Sequence, residues 1–401
     1  NDTSNFKREH KDGEIMFLNK TLELNSRLIE TAVQLHQTGK VLPDTYLVDI
    51  DQLLYNAKSI LNEANKQHIE LYYMLKQVGR NPYIAKELEN IGYAGAVVVD
   101  WKEADVAIKN GLHISHAGHL VQMPSGFVKK IISYGCDYMT IYSIEKLKEI
   151  DRAAKEVNKV QKIMVRVIGE DDLIYSGQTA GFYLDELKNL VCEARRLTNV
   201  ELCGVDSFPC FLYDEKTQDI EPQNNLNTVL KAKKVLEELG CHIENVNAPS
   251  TTSVRTLQKM NGYGITSAEP GHGLSGTTPL HAVKDCVEKP CVLYLSEVSH
   301  NLNNKSYAYG GGYYRRGHLK NAFVGKEINH LNKVIVNPPA LDSIDYHFEL
   351  SEPAEIGASV IMAYRFQVFV TRSDVCLIKG IHENKPKIVG LYNSLGDEIT
   401  R

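Results

Sequence analysis

The architecture of this chain can be inferred from residues 71–82, which read Leu71-Tyr-Tyr-Met-Leu-Lys-Gln-Val-Gly-Arg-Asn-Pro82. Five apolar or aromatic residues in a row predict a buried strand, and Gly79 with Pro82 predicts a loop that leads into a helix. Lys76 is therefore expected at the carboxyl end of a buried strand, where an ammonium group is paired, desolvated or used covalently. Desolvation lowers the pKa of a lysine, as imine chemistry requires, although a lone lysine more often extends its stem to solvent.

Similar short apolar runs recur through the first two thirds of the chain. Helical segments with amphipathic spacing lie between them. Strands that alternate with helices predict a parallel (β/α)8 TIM-like barrel, here over residues 46–281, with an open doubly wound sheet as the lesser alternative. The eight predicted strands cover residues 71–75, 96–99, 114–116, 138–142, 163–168, 201–205, 242–246 and 264–267.

The pattern changes after the barrel. Strand-like runs separated by Gly, Pro and Asn follow without intervening helices and predict a C-terminal all-β domain over residues 282–401. Residues 1–15 are polar and are expected to form a flexible extension. Residues 16–45 are expected to form an amphipathic helix, over 17–37, and a linker. This helix and the strand predicted at 46–50 precede the barrel strands in the sequence. The alternative is that both pack in the β domain rather than in the barrel.

Composition narrows the class of protein. The chain has 401 residues, 43% of them hydrophobic and 24% charged, and a formal net charge of −5, so it lacks the basic surface that nucleic-acid binding uses. No apolar run reaches the roughly 18 residues that a membrane span needs, and no signal peptide is recognised, so we expect a cytoplasmic protein with no membrane partner. The eight cysteines include no Cys-x-x-Cys pair, which argues against a zinc or redox site, and no metal is expected.

Polar residues collect where the predicted strands end, which is where barrel enzymes hold their catalytic groups. The hydroxyls of residues 250–252 open a helix whose free N–H groups can bind a phosphate, although for these residues taken alone simple helix capping is the better explanation. Gly271 and Gly273 let a second backbone segment approach the same anion, with an ordinary turn as the alternative. The positions are Lys76, Arg80, Asp100, His116, His119, Tyr142, Arg166, Asp206, Ser207, Asn247, Ser250, Thr251, Thr252 and Glu269.

Several of these motifs together resemble a known family. Lys76 after a hydrophobic strand, Arg166, Asn247-Ala-Pro-Ser-Thr-Thr252 and Glu269-Pro-Gly-His-Gly273 resemble the pyridoxal-phosphate enzymes that join an alanine racemase-like barrel to a β domain. The sequence also resembles the bacterial YhfX-type group, which is assigned to the amino-acid racemases. That closer resemblance extends from about Met16 to the end of the chain and includes Tyr309-Gly-Gly-Gly-Tyr-Tyr-Arg-Arg-Gly-His318 and Phe369-Val-Thr-Arg-Ser-Asp-Val375.

The resemblance implies pyridoxal 5'-phosphate as the cofactor and an amino acid as the substrate. Lys76 would carry the cofactor as a Schiff base and act as one of the proton-transfer bases. Glu269 would face the pyridine nitrogen, where decarboxylases have a glutamate and alanine racemases an arginine. A glutamate there favours a protonated ring, which suits racemisation, decarboxylation or retro-aldol cleavage. The other implied cofactor-binding residues are Arg80, Arg166, Ser207, Asn247, Ser250, Thr251, Thr252, Gly271, His272 and Tyr392.

A racemase needs a second base on the opposite face of its substrate. The resemblance implies that this base comes from the β domain of another subunit, so we expect a homodimer with shared active sites. Tyr309 is the first candidate, Tyr307 and Tyr313 are near rivals, and Cys376 is a further one. A tyrosine packed on the sheet is the alternative interpretation of Tyr309. The leading hypothesis is an amino-acid racemase or epimerase. A pyridoxal-phosphate-dependent decarboxylase and a non-catalytic carrier of the cofactor are the alternatives.

Overall fold

The computed structural model describes residues 17–401, so the flexible extension predicted for residues 1–15 lies outside the described residues. The segment predicted as one helix is two helices, α1 (Phe17–Leu24) and α2 (Ser26–Gln37), so the prediction of a continuous helix was wrong. Asn25 separates them. Its side-chain amide donates hydrogen bonds to Asp49 Oδ2 at 3.1 Å and to the carbonyl oxygen of Pro290 at 3.0 Å.

Eight parallel strands close into a barrel, which confirms the predicted architecture. The barrel contains β2 to β7, β10 and β11, in the circular order β10-β11-β2-β3-β4-β5-β6-β7. The first eleven strands of the chain are β1 (Thr45–Asp49), β2 (Glu70–Tyr73), β3 (Gly95–Val97), β4 (Ile114–Ala117), β5 (Cys136–Ile141), β6 (Gln161–Arg166), β7 (Val200–Asp206), β8 (Phe211–Asp214), β9 (Asp219–Pro222), β10 (Asn245–Asn247) and β11 (Ser267–Ala268).

Helices follow most of the barrel strands and cover the outside of the barrel, with apolar side chains facing inwards. They are α3 (Ile50–Lys66), α4 (Pro82–Ile91), α5 (Trp101–Lys109), α6 (Ser125–Tyr134), α7 (Ile144–Glu156), α8 (Leu187–Ala194), α9 (Asn224–Glu238), α10 (Val254–Met260), α11 (His272–Ser275) and α12 (Pro279–Val283). Within residues 17–401, no helix has the length and apolar character needed to cross a membrane.

The rest of the chain forms the predicted β domain. A nine-stranded sheet has the order β13-β16-β15-β14-β17-β12-β1-β18-β19. Its C-terminal strands are β12 (Val292–Leu302), β13 (Lys305–Tyr309), β14 (Asn321–Gly325), β15 (Asn332–Asn337), β16 (His347–Leu350), β17 (Ser359–Met362), β18 (Asp374–Lys379) and β19 (Lys387–Asn393).

The strand β1 belongs to this sheet and not to the barrel. It pairs antiparallel with β12 and parallel with β18. Its Leu47 packs in one apolar cluster with α1 and α2, while Tyr46 and Val48 belong to the cluster shared with the barrel. The segment 46–281, which was predicted to form the barrel, therefore includes one strand of the β domain. The alternative prediction had placed this strand there.

An antiparallel hairpin, β8 paired with β9, projects from the barrel between β7 and α9. It brings Phe208 and Leu212 to the carboxyl end of the barrel, where both contact a cavity.

The local backbone places Lys76 at the same end of the barrel. Lys76 begins a single 3-10 turn after β2, and Gly79 then takes a left-handed φ of 70° that reverses the chain. The side chain of Asn81 caps α4 by accepting hydrogen bonds from the backbone N–H groups of Tyr83 and Ile84. The lysine is thus held between a buried strand and a capped helix.

Candidate active site

A cavity of about 370 Å³ lies at the carboxyl ends of the barrel strands. Its floor comes from the barrel and its rim from loops of the β domain. Eight residues predicted from the sequence line it together: Lys76, His119, Ser250, Thr251, Thr252, Glu269, Gly271 and His272. A cavity of this size with convergent polar groups is typical of a small-molecule site.

The Lys76 amine has no hydrogen-bond or ion-pair partner among the described residues, although the side chain is partly buried. Burial lowers its pKa to about 8; Glu103 and Glu269 oppose this lowering, and Arg365 adds to it. An unpaired lysine with a lowered pKa is a competent nucleophile towards an aldehyde near neutral pH.

Residues 250–252 and two glycines form a small polar cradle. The Ser250 hydroxyl donates to the carbonyl oxygen of Phe211 at 2.8 Å, whereas the Thr252 hydroxyl is buried and has no partner within residues 17–401. A Cβ on Gly271 would lie 2.6 Å from Gln77 Nε2, and one on Gly273 would lie 2.1 Å from the Thr252 carbonyl oxygen. Only glycine allows so close an approach, and the unpartnered hydroxyl is a ready donor to an anion.

Glu269 belongs to a buried charged cluster. His116 places Nδ1 2.7 Å from Glu269 Oε1 and Nε2 2.7 Å from the Thr140 hydroxyl, and that hydroxyl donates to Asp206. Burial disfavours the charged form of His116, but the hydrogen bonds of Asp206 and Glu269 prevail and raise its pKa to about 9. Burial likewise opposes ionisation of Glu269, yet His119 and His116 hold its pKa below the usual value. Glu269 is therefore a carboxylate, fixed by a protonated histidine.

His119 is a residue to which the sequence analysis gave no role. Its ring lines the cavity, 5.1 Å from the ring of His116 and edge-on to the ring of Phe208 at 6.0 Å. Neither ring nitrogen makes a hydrogen bond within the described part of the chain. His119 follows β4 and reaches Phe208, which follows β7, from across the barrel end.

Ligand atoms of His116, His119 and Asp206 all lie within 4.8 Å of one another, a spacing that a metal ion could bridge. Cysteine spacing could not reveal this cluster, because it contains no cysteine. Both ring nitrogens of His116 are already engaged by Glu269 and Thr140, so a metal ion would have to displace one of these hydrogen bonds.

Four predicted cofactor-binding residues lie around the cavity without lining it. Arg80 pairs with Asp100 at 2.8 Å, so its charge is already compensated. Arg166 donates to the carbonyl oxygen of His119 at 3.1 Å. The other two are buried side chains at the ends of β7 and β10, namely Ser207 and Asn247.

Three predicted residues of the β domain do not reach the cavity of their own chain. Tyr309 ends β13 with 39% of its surface exposed, and Tyr392 is buried on β19. Cys376 is fully buried on β18 among the side chains beneath α1 and α2, and burial raises the pKa of its thiol to about 12. The thiol of Cys376 is therefore enclosed within its own chain, which argues against the predicted role as a second base.

The β domain supplies further lining residues that the sequence analysis did not assign. Signals were present for some of them, since two lie within the quoted stretch 309–318 and one begins the stretch 369–375. Nothing in the sequence indicated that these segments fold over the barrel. The residues are Tyr314, Arg316, Arg365, Gln367 and Phe369, and the barrel adds Gln77 and Tyr175.

Both domains match models of known protein families. Residues 48–279 match the family model described as alanine racemase, N-terminal domain, and residues 293–388 match the model described as YhfX-like, C-terminal domain. The uncharacterised protein YhfX of Escherichia coli (strain K12) is 41% identical over 388 residues, which cover 96% of this chain and 100% of YhfX.

Solved structures of similar fold have lower identity. D-threonine aldolase from Filomicrobium marinum has a TM-score of 0.65 at 14% identity and covers 89% of this chain and 95% of its own. The cycloserine complex of alanine racemase from Clostridium difficile 630 has a TM-score of 0.65 at 16% identity, with 88% and 99% covered. Diaminopimelate decarboxylase from Helicobacter pylori, complexed with L-lysine, has a TM-score of 0.62 at 14% identity, with 90% and 96% covered. Together, the barrel, the β domain and these matches show that the chain belongs to the alanine racemase-like family, in its YhfX-type branch.

Proposed function

We propose that this protein is a pyridoxal 5'-phosphate-dependent amino-acid racemase or epimerase. The observation that carries the proposal is the unpartnered Lys76 amine, whose pKa is lowered to about 8 by burial, in the cavity at the end of the barrel. Membership of the alanine racemase-like family supports it, as does the similarity in fold to the alanine racemase of Clostridium difficile.

The residues present fit this cofactor at three points. Lys76 offers a nucleophilic amine, the unpartnered hydroxyl of Thr252, a residue that Gly273 approaches closely, offers a donor for the phosphate, and Glu269 offers a fixed carboxylate for a protonated ring nitrogen. When bound, the cofactor supplies an electron sink for the charge that develops at the substrate Cα.

The chain must then move protons at both faces of that carbon. Lys76 serves one face, because its lowered pKa lets the amine accept and return a proton near neutral pH. The other face needs a second base. We assign this role to Tyr309 of a second copy, since its side chain is exposed and does not contact its own cavity.

A covalent trap tests the assignment of Lys76. Borohydride reduction of the loaded protein should fix the cofactor to the peptide that contains Lys76, as read by mass spectrometry. Lys76→Ala should show no such adduct while keeping its circular dichroism spectrum. Lys102→Ala, at an exposed lysine on α5, is the matched control and should be labelled like the natural protein. An adduct on Lys76→Ala, or none on the natural protein, would refute the proposal.

The reaction class is tested separately by incubation with L-amino acids in deuterated water. Loss of the α-proton signal together with appearance of the D-enantiomer on chiral chromatography is the expected result. Release of carbon dioxide with a deuterated amine would assign decarboxylation in its place. A trapped Lys76 adduct with neither product would indicate a modified amino acid as the substrate or a non-catalytic carrier of the cofactor.

A further inference from the structure

Two arginines of the β domain line the cavity of the barrel, Arg316 and Arg365. The guanidinium of Arg316 lies 4.8 Å over the ring of Tyr175, which holds it at the rim. The Nε of Arg365 donates a hydrogen bond to His272 Nε2 at 3.3 Å. Both cations are thus positioned by contacts with barrel residues.

Neither guanidinium has an acidic partner in the described part of the chain. Within residues 17–401, the terminal nitrogens of Arg365 make no hydrogen bond to the protein, and Arg316 has only its contact with the Tyr175 ring. A guanidinium carries five N–H donors, so most of this capacity faces the cavity unused. By contrast, Arg80 is compensated by Asp100 and Arg372 by Asp345.

The charges that line the cavity are unbalanced. Lys76, Arg316 and Arg365 are basic, whereas Glu269 is the one acidic residue among the described lining residues. Glu269 is itself bound by His116. Burial keeps His272 neutral by holding its pKa well below the usual value, so it accepts from Arg365 without adding charge. The field in this recess favours anions.

The anions of the proposed reaction can be assigned to these groups. The Thr252 hydroxyl with Gly271 suits the phosphate of the cofactor, and a single guanidinium suffices for the α-carboxylate of an amino acid. One guanidinium then remains. Resting on the proposed function, we propose that the substrate is an amino acid whose side chain carries a second anionic group, either a carboxylate or a phosphate. Arg316 and Arg365 together hold the α-carboxylate and this second group.

Calorimetric titration of the cofactor-loaded protein tests this preference without depending on turnover. Each anionic ligand has a neutral counterpart of similar shape: aspartate with asparagine, glutamate with glutamine, and O-phosphoserine with serine. We expect the anionic member of at least one pair to bind about tenfold or more tightly than its counterpart, as a charge-assisted hydrogen bond allows. The pair with the largest ratio distinguishes a carboxylate from a phosphate.

Substitution identifies the arginines responsible. One of the variants Arg316→Gln and Arg365→Gln should reduce the ratio of anionic to neutral affinity about tenfold, and the other should weaken both members of a pair alike, while cofactor affinity, measured by equilibrium dialysis, changes little in either. Arg315→Gln is the matched control. Arg315 is adjacent to Arg316 in the chain, but its side chain donates a hydrogen bond to the Leu341 carbonyl oxygen and does not line the cavity. This variant should keep the ratio of the natural protein.

The possible failures can be told apart. Equal binding of both members of every pair, or no binding at all, would overturn the inference, whatever the reaction turns out to be. Loss of cofactor affinity in Arg365→Gln with an unchanged ratio would also overturn it, because that arginine would then serve the phosphate of the cofactor. Preferential binding of anions without α-proton exchange would leave the inference standing and refute the racemase.

Discussion

At Lys76, burial and the lack of a partner act in the same direction. Burial lowers the pKa of the amine to about 8, and Arg365 adds to the effect, while Glu103 and Glu269 offset it only in part. The apolar run at residues 71–75 predicts the place of this lysine at the end of a buried strand, whereas its reactive role is predicted only together with the other motifs of the family resemblance. The sequence could not predict Arg365, whose place beside His272 depends on how the β domain packs against the barrel.

The lowered pKa leads to a prediction about pH. Only the neutral amine attacks the cofactor, so the rate at which the protein without cofactor takes it up should fall about tenfold for each pH unit below about 8 and level off above it. Stopped-flow absorbance between pH 6 and 10 measures this rate. Free lysine, with its ordinary pKa, should continue to rise across the same range, and a profile of that shape in the protein would contradict the prediction.

Among the secondary-structure elements, the sequence predicts best those that belong to a repeated pattern of strands and helices. The barrel strands were predicted because apolar runs recur between amphipathic helices, although their bounds moved by a few residues. The break at Asn25 was missed because its cause is tertiary, a pair of hydrogen bonds to Asp49 and Pro290. Likewise, Cys376 alternates with Val375 and Leu377 on β18, and only the packing of α1 and α2 shows which face each residue takes.

The close approach between the chain segments that follow β10 and β11 can be tested by substitution. In Gly273→Ala, the new methyl group would meet the Thr252 carbonyl oxygen at 2.1 Å, so the two loops must separate. We expect the free energy of unfolding to fall by about 1–3 kcal/mol. Cofactor affinity should fall with it, since Thr252 moves. Urea denaturation and equilibrium dialysis measure the two effects.

Gly126→Ala provides the control for this substitution. Gly126 lies in the first turn of α6, and a Cβ there meets nothing within 4 Å. Alanine favours a helix over glycine, so this variant should be as stable as the natural protein or slightly more so. Equal behaviour of the two alanine variants would show that the close approach at Gly273 does not matter.

For the whole molecule, the central expectation is an active site built from two chains. The cavity contains a base at one face, Lys76, whereas Tyr309 is exposed elsewhere on the same chain. Only the family resemblance predicted that Tyr309 of one chain acts at the cavity of another. Nothing in the local sequence Tyr309-Gly-Gly-Gly indicates a second subunit. A closed dimer with a two-fold axis would bring each Tyr309 to the other cavity.

Mixed dimers test this arrangement. Lys76→Ala and Tyr309→Phe should each be inactive in racemisation alone, but a hybrid of the two retains one intact site. After equal mixing and exchange of subunits, about a quarter of the natural activity should return, because half of the dimers are hybrids with one working site in two. Chiral chromatography measures it. Mixing Lys76→Ala with Tyr307→Phe, the control, should give more, and an unchanged inactive mixture with Tyr309→Phe would exclude the shared site.

The position of β1 also constrains how the protein is made. This strand leaves the ribosome before any of the barrel, yet both of its neighbours, β12 and β18, come from the last third of the chain. Both edges of an apolar strand, Thr45–Asp49, therefore stay without partners during most of translation. The barrel can close on the nascent chain, but the sheet cannot. A chain released early would therefore expose both edges of β1, and an unpaired strand edge promotes aggregation.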